Sequence, residues 1–377
     1  MKVCFISSYP PNHARLSEYA NNLINALTDR PTIETFYLIV DQSRQPQTAT
    51  KNSKVNVYRV WKPDNFLSVL NIMKYIIKLR PDVVHFNVAF QSFGNNKLTN
   101  ATGLSLILLS RILGFKVLVG IHTLAETADL KKYNIKPSII NRVGIFVATK
   151  LVLSAQTVVV LVHSYIRTLT ERYRHPNVIY IPHGTTTSAL SKVDPEEKVI
   201  LIFGHMGPHK GLPQLLKAFK EMQQEKYNVK LVVAGANHPN FPNYLTQFTK
   251  ENTPNVSFLG YVPEEKLEGV FKMADVVVMP YLAVPGTSGV FHLACGYGTP
   301  IVASDLPEIR EIIADGASAL LVPSGDVQAL KDAILKVLFE QGAAEKMTAQ
   351  NIEFAQKRSW STVAKAYEEA YLTLLNC

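Results

Sequence analysis

Short apolar runs alternate with amphipathic segments along most of this chain, and the alternation runs through twice. In the first half, residues 3–6, 36–40, 55–60, 82–86, 116–121, 157–162 and 178–181 have the length and β-branched content of strands. Helical patterns lie between them. A helix capped near Ser17 places Tyr19, Leu23, Ile24 and Leu27 on one buried face. Further helices are expected over 67–79, stopped by Arg80-Pro81, and over 104–113 and 138–154. Pro182-His183-Gly184 and a polar stretch to Lys198 break the pattern and read as a linker. It then restarts with strands at 199–203, 229–234, 256–259, 276–279 and 301–303. Helices are expected at 212–223, 244–251, 264–273, 289–295, 327–339, 343–355 and 360–375. Strands alternating with helices dictate parallel sheets covered on both faces. The expectation is an α/β chain of two doubly wound domains, with the ligand site in the cleft between them.

The 377 residues suffice for two domains, and 47% hydrophobic with 18% charged residues is a globular composition. Three scattered cysteines, Cys4, Cys295 and Cys377, have neither a disulfide framework nor metal-ligand spacing, so a reducing cytosol is expected. The opening apolar run ends at Ser7-Ser8-Tyr9-Pro10, too early for a signal peptide. No run of about 18 apolar residues suggests a membrane span. The net charge of +9 is uneven: residues 1–190 hold 22 Lys and Arg against 9 Asp and Glu, the remainder 17 against 21. A basic first half calls for an anionic partner. Its bases are scattered and no nucleic-acid motif appears, so nucleic acid is not expected. An anionic membrane surface or a phosphate-bearing acceptor answers the charge equally, as does a merely solvated surface.

The stretch 274–304 carries the strongest local signal. Strand 276–279 stops at Pro280, and a loop with Pro285, Gly286, Thr287 and Ser288 leads into a helix from Gly289. Ser288 or Thr287 can cap that helix, whose first N–H groups and dipole make a seat for an anion. Gly286 and Gly289 allow close approach to the backbone. The functional reading is a diphosphate seat; an ordinary βαβ turn has the same pattern. Lys210, in the Gly-containing loop FGHMGPHKG, can pair with a phosphate, although no P-loop is present and a solvated loop lysine looks the same. His122, at the end of strand 116–121, can act as a donor, acid or base, or serve structure alone. His13, His163 and His183 are read with the same caution, and His292 as a packing or polar-contact residue. No Asp-x-Asp or metal-spaced cluster is present, so no metal is expected. No GxSxG elbow appears.

Together these segments resemble the retaining glycosyltransferases of family 4, which have the GT-B fold of two Rossmann-like domains facing across a cleft. The resemblance spans nearly the whole chain. It rests on SEYANNLINAL after the first loop, IHT at 121–123, IPHG at 181–184 and FGHMGPHKGL at 203–212. MPYLAVPGTSGVFHLACGYGTPIVASDLPE at 279–308, LLVPSGDVQAL at 320–330 and SWSTVAKAYEEAY at 359–371 complete it. It implies an acceptor domain over 1–190, a nucleotide-sugar domain over 191–355 and a final helical segment, 356–377, crossing back to the first domain. It implies metal-independent transfer of a sugar from a UDP- or GDP-linked donor to a glycolipid or polysaccharide. No cofactor is implied.

The resemblance also assigns residues. Lys210 and the backbone of Thr287, Ser288, Gly289 and Val290 would hold the donor diphosphate, with His205, Gly207 and Glu308 in the donor-binding set. His122 would contact the donor sugar near the reacting carbon, and His122 and Lys210 would be the catalytic pair. Asn12, His13 and Arg15 would line the acceptor side. This chain departs from the usual pattern in three places. The family's glutamate pair would fall at Pro285 and Leu293 and is missing, as in a variant with a Ser-Gly-Val loop. The usual arginine before Lys210 is replaced by His205 or Gly207, and the first loop carries Ala14-Arg15-Leu16 instead of a glycine pair. These departures leave ribose recognition unassigned. They also permit a non-catalytic GT-B subunit; a second rival, a nucleotide-sugar epimerase of the same fold, would need acid/base carboxylates in the cleft, and no obvious pair is present. Cytoplasmic placement is expected, peripheral at the membrane if the basic half meets lipid.

Overall fold

The computed structural model describes residues 1–12, 16–42, 52–124, 126, 138–188, 197–284 and 286–376. Among these, the chain forms two compact units. The first runs to Gly184 and resumes at Trp360; the second runs from Thr185 to Ser359.

The first unit contains strands β1 (Lys2–Ser7), β2 (Thr35–Asp41), β3 (Val55–Trp61), β4 (Val83–Val88), β5 (Lys116–Ile121), β6 (Thr157–Val160) and β7 (Val178–Tyr180). They form one parallel sheet in the order 3-2-1-4-5-6-7. The sheet is flanked by α1 (Ser17–Thr28), α2 (Ser68–Leu79), α3 (Lys97–Ile112), α4 (Ile139–Val152) and α5 (His163–Arg167), the last running into a π-helical turn, Thr168–Arg172. Every residue of β4 is buried, as parallel strands covered on both faces require.

The second unit repeats the plan. β8 (Lys198–Phe203), α6 (Leu212–Gln224), β9 (Val229–Ala234), α7 (Thr246–Thr249), β10 (Val256–Gly260) and α8 (Glu264–Lys272) come first. β11 (Val276–Met279), α9 (Gly289–Gly296), β12 (Ile301–Ser304), α10 (Pro307–Ala314), β13 (Leu320–Val322), α11 (Val327–Phe339) and α12 (Ala343–Lys357) follow. The strands are parallel in the order 10-9-8-11-12-13. In both units the chain order reverses direction beside the first strand, between β1 and β4 and between β8 and β11. Doubly wound sheets bind ligands outside the strand carboxyl ends at such a switch point.

The last helix, α13 (Trp360–Asn376), belongs to the first unit. Its buried Val363, Ala364, Tyr367, Tyr371 and Leu374 share a core with Tyr19, Ala20, Leu23, Ile24 and Leu27 of α1. Each large side chain fully buried this way contributes about 1.5–3 kcal/mol. Glu368 adds an ion pair with Arg30, 2.6 Å, and accepts from the Thr32 hydroxyl.

Two local expectations need correction, and the expected linker, which does contain the boundary between the units, needs a refinement. Ser17 does not cap α1: Leu16 holds the N-cap position without a side-chain bond, and the Ser17 hydroxyl is buried without a partner. The segment expected as a linker is tied down at its start. The Thr185 hydroxyl donates to the Ala355 carbonyl, 2.6 Å, and the Ser188 N–H to that of Gly296, 3.1 Å. Residues 189–196 lie outside the described ones. The helix expected over 104–113 starts earlier, at Lys97, with the Asn96 side chain accepting from the Leu98 N–H, 2.8 Å. Among the described residues, no helix is long and apolar enough to cross a membrane.

Candidate active site

In the first unit the carboxyl ends of β1, β4 and β5 carry a hydrogen-bonded chain. Asn87 donates from Nδ2 to the Ser7 hydroxyl, 3.0 Å, and its Oδ1 pairs with His122 Nε2 at 2.7 Å. In that orientation Asn87 accepts, so His122 carries its proton on Nε2 and presents Nδ1 as an acceptor. The His122 N–H donates to the Val88 carbonyl, 3.0 Å, which fixes the turn after β5. The imidazole edge meets Tyr19 with centroids 4.4 Å apart, and Tyr19 also meets His183 and Trp360 at 5.1 Å each. Burial first, and His183 second, pull His122 well below the ordinary imidazole value. His122 is therefore a neutral hydrogen-bonding group near pH 7, not a charged acid.

Behind it lies His85, fully buried, its Nδ1 2.6 Å from the Tyr371 hydroxyl and its ring stacked on Tyr367. Burial, then the neighbouring His122, lower its pKa to about 3. Asn12 sits by the end of β2, donating from Nδ2 to the Gln42 carbonyl at 3.2 Å. His13 and Arg15 lie outside the described residues, as does Pro285.

In the second unit, β8, β11 and β12 lie side by side and send their carboxyl-end loops to one edge. Beyond those strand ends come the loop 205–210, the loop–helix junction 287–290 and, in the first turn of α10, Glu308 respectively. Lys210 ends a single 3-10 turn, Pro208–Lys210, and its Nζ stands 3.8 Å from the centroid of the buried Tyr281 ring. A cation on an aromatic face is held there by the ring quadrupole. The backbone carbonyl of His209 accepts from the Leu282 N–H, 2.8 Å, joining this loop to the one after β11. Gly211 permits the joint: φ is +67°, and a Cβ there would lie 1.8 Å from the Pro280 carbonyl oxygen. Gly204 marks where the two loops meet, since a Cβ on it would fall 3.2 Å from Val290 Cγ2 and 3.6 Å from Lys210 Nζ. The lysine ammonium and the first turn of α9 thus converge above one glycine at the switch point.

Ser288 caps α9, its hydroxyl accepting from the Phe291 N–H at 3.3 Å. The N–H groups of Gly289 and Val290 have no partner within the helix. Thr287 is not the cap; its hydroxyl lies 2.8 Å from Nε2 of buried His292, which stacks on Phe354. His292 is thus the packing and polar-contact residue the sequence suggests. Gly207 is buried, and a Cβ there would press on the side chains of His209 and Phe241 at 3.1–3.2 Å. His205 is half-buried in the same loop. Glu308 stands half-buried in the first turn of α10. Among the described residues, no group of three or more His, Cys, Asp or Glu could hold a metal ion.

Sequence reading missed Ser7, Asn87, Tyr19 and Tyr281. Asn87 had a signal: a polar residue at the end of an otherwise apolar, doubly covered strand. Tyr281 had one too, an aromatic directly after the strand-ending Pro280.

Comparison with known proteins agrees with this architecture. Residues 197–340 match the family described as Glycosyl transferases group 1. A phosphatidyl-myo-inositol mannosyltransferase of Mycobacterium leprae is 28% identical over 205 residues, 52% of this chain and 54% of that protein. The chain spans about half the length of the curated relatives it matches. A solved sucrose-phosphate synthase from Thermosynechococcus elongatus superposes with a TM-score of 0.79 at 20% identity, covering 100% of this chain and 99% of that one. Anabaena HepE in complex with UDP-glucose superposes with a TM-score of 0.73 at 15% identity, covering 99% and 100%. The whole chain thus has the GT-B fold, and its second unit carries a region matching the group 1 glycosyl transferases.

Proposed function

We propose that this chain is a retaining glycosyltransferase that moves a sugar from a UDP- or GDP-linked donor to a glycolipid or polysaccharide acceptor without a metal. The observation that carries the reading is the convergence of Lys210 and the start of α9 over Gly204. As the anomeric bond breaks, the leaving diphosphate gains negative charge. A lysine cation and free helix N–H groups, fixed beforehand, oppose that charge without reorganising. In this reading Thr287 and Ser288 hold the loop in shape, while Gly289 and Val290 offer N–H groups. His205 and Glu308, on the same edge, belong with the donor, and Gly207 serves the loop's packing. His122 takes the role of a neutral hydrogen-bond partner for the donor sugar, oriented by Asn87 and Ser7. Asn12 marks the acceptor side, where His13 and Arg15 are also assigned. The buried thiols of Cys4 and Cys295 suit a reducing cytosol.

The match of residues 197–340 to glycosyl transferases supports this reading. The test is incubation of the purified chain with labelled UDP- and GDP-hexoses, alone and with lipid or saccharide acceptors. Transfer, or slow donor hydrolysis, with one base is expected. Epimerised donor without transfer, or donor bound and never turned over, would instead select one of the rival readings.

A further inference from the structure

Helices α2, α3 and α4 lie side by side on one side of the first sheet, and their outer surface is unusually apolar. Lys97 Nζ donates to the Asn141 side chain, 2.6 Å, at one end of the α3–α4 pair, and Arg111 to the Ser154 carbonyl, 2.8 Å, at the other. α4 is the extreme case. Ile139 is 80% exposed, Ile140 77% and Val143 56%, with Phe146 and Val147 at 46% each. A helix so apolar is ordinarily buried within a protein. Ile139, Val143, Phe146 and Val147 recur at the spacing of one helical face, and exposed Arg142 and Lys150 fall on that same face. Leu108 and Ile112 of α3, Leu113 just after it, and Leu70 and Ile77 of α2 extend the patch. None of the three helices contains an acidic residue. Six exposed bases stand on them: Lys74, Lys78, Lys97, Arg111, Arg142 and Lys150.

We infer that the outer face of α2–α4, centred on α4, docks on an anionic lipid bilayer. Exposed apolar patches mark interaction sites. The occupant is identified by the charge pattern: large aliphatic and aromatic side chains bordered by bases, with no acid on the three helices themselves; the carboxylate beside them, Glu126, accepts from the hydroxyl of Tyr173, which stacks on Phe146. Such a face buries its apolar side chains at the headgroup boundary and pairs its cations with anionic lipids. A self-complementary protein interface would need acids to answer six bases, and these helices supply none. This face would hold lipid whatever the second unit transfers, so its test does not depend on the donor reading.

The full chain is tested by flotation with vesicles of phosphatidylcholine alone or mixed with phosphatidylglycerol, at low and high salt. Binding to the mixed vesicles at least tenfold above neutral ones, weakened by salt, is expected. Two exposed-surface variants follow, Val143→Ser with Val147→Ser, and Arg142→Glu with Lys150→Glu. Each should lose at least tenfold in vesicle binding with its melting temperature kept. A third, Val143→Trp, should show blue-shifted emission on mixed vesicles beyond any change in the parent chain. Absence of binding by the parent chain, unchanged binding in the first two variants, or no blue shift would overturn the inference. So would a dimer in sedimentation that Val143→Ser with Val147→Ser dissolves, since the face would then belong to a second copy.

Discussion

Replacing Lys210 with methionine isolates one charge in the proposed donor seat. The aliphatic stem can still lie on Tyr281, so packing is kept while the ammonium, 3.8 Å from that ring's centroid, is removed. Two unit charges about 4 Å apart attract by about 1 kcal/mol in bulk water and about 4 kcal/mol at an effective dielectric constant near 20. Lys210 is half-buried, which places it between those limits. Hydrogen bonds to charged groups contribute about 1.5–3 kcal/mol net, which sits inside that interval. The dissociation constant for the nucleoside diphosphate should therefore rise about 10- to 150-fold. In the free protein the cation–π attraction between Lys210 and Tyr281 contributes about 0.5–1 kcal/mol, so without ligand the melting temperature of the variant should fall by only about 1–4 °C. Calorimetric titration with UDP and GDP reads the first quantity and scanning calorimetry the second. If Lys210→Met binds the preferred diphosphate as tightly as the parent chain, the lysine does not touch phosphate and the electrostatic argument fails.

Other expectations follow from single interactions. His85 is neutral when folded, its pKa lowered to about 3 against about 6.5 when unfolded. The unfolded chain then takes up the proton first as pH falls, so stability is complete above about pH 6.5 and declines below it by up to about 1.4 kcal/mol per pH unit from this residue. Urea midpoints between pH 7 and 4.5 should show that decline, and His85→Gln should make it shallower, the buried His122 and His183 supplying the remainder; an equal slope in both would remove His85 as a cause. Gly211→Ala must clear the Pro280 carbonyl at positive φ and should destabilise by about 2–4 kcal/mol, measured by urea unfolding. Ser288→Ala removes the α9 cap and should lower stability by about 0.5–2 kcal/mol; no change would mean that the 3.3 Å bond is idle.

The parallel, twice-wound architecture was legible because buried β-branched runs and amphipathic helices have different periods, and the chain keeps both clean. The limits of α3 were not. Its first turns turn Thr99, Asn100 and Gly103 inward, and Asn100 is satisfied by the Phe93 N–H and the Gly94 carbonyl. Apolar periodicity cannot register a buried polar face. α10 escaped notice for a related reason: Leu306 occupies its N-cap without a side-chain bond, so no capping residue announces it. In the site, the loop, cap and helix at 286–296 could be read locally because all the parts are neighbours in sequence. The Ser7–Asn87–His122 chain could not, since it joins three strands that become adjacent only in the order 1-4-5. Tyr281 beneath Lys210 has the same origin, two loops brought together by the switch point.

The most direct measurement of the central claim compares a nucleoside with its mono- and diphosphate, in uridine and guanosine series, on the parent chain and on Gly289→Val. Gly289 opens α9, and a valine there would place a branched side chain where phosphate must approach the N–H groups. For one base, affinity should rise at least tenfold from monophosphate to diphosphate, and Gly289→Val should abolish that increment with its melting temperature retained. Equal affinity for nucleoside and diphosphate, or an increment that survives in Gly289→Val, would place the anion elsewhere and contradict the diphosphate seat.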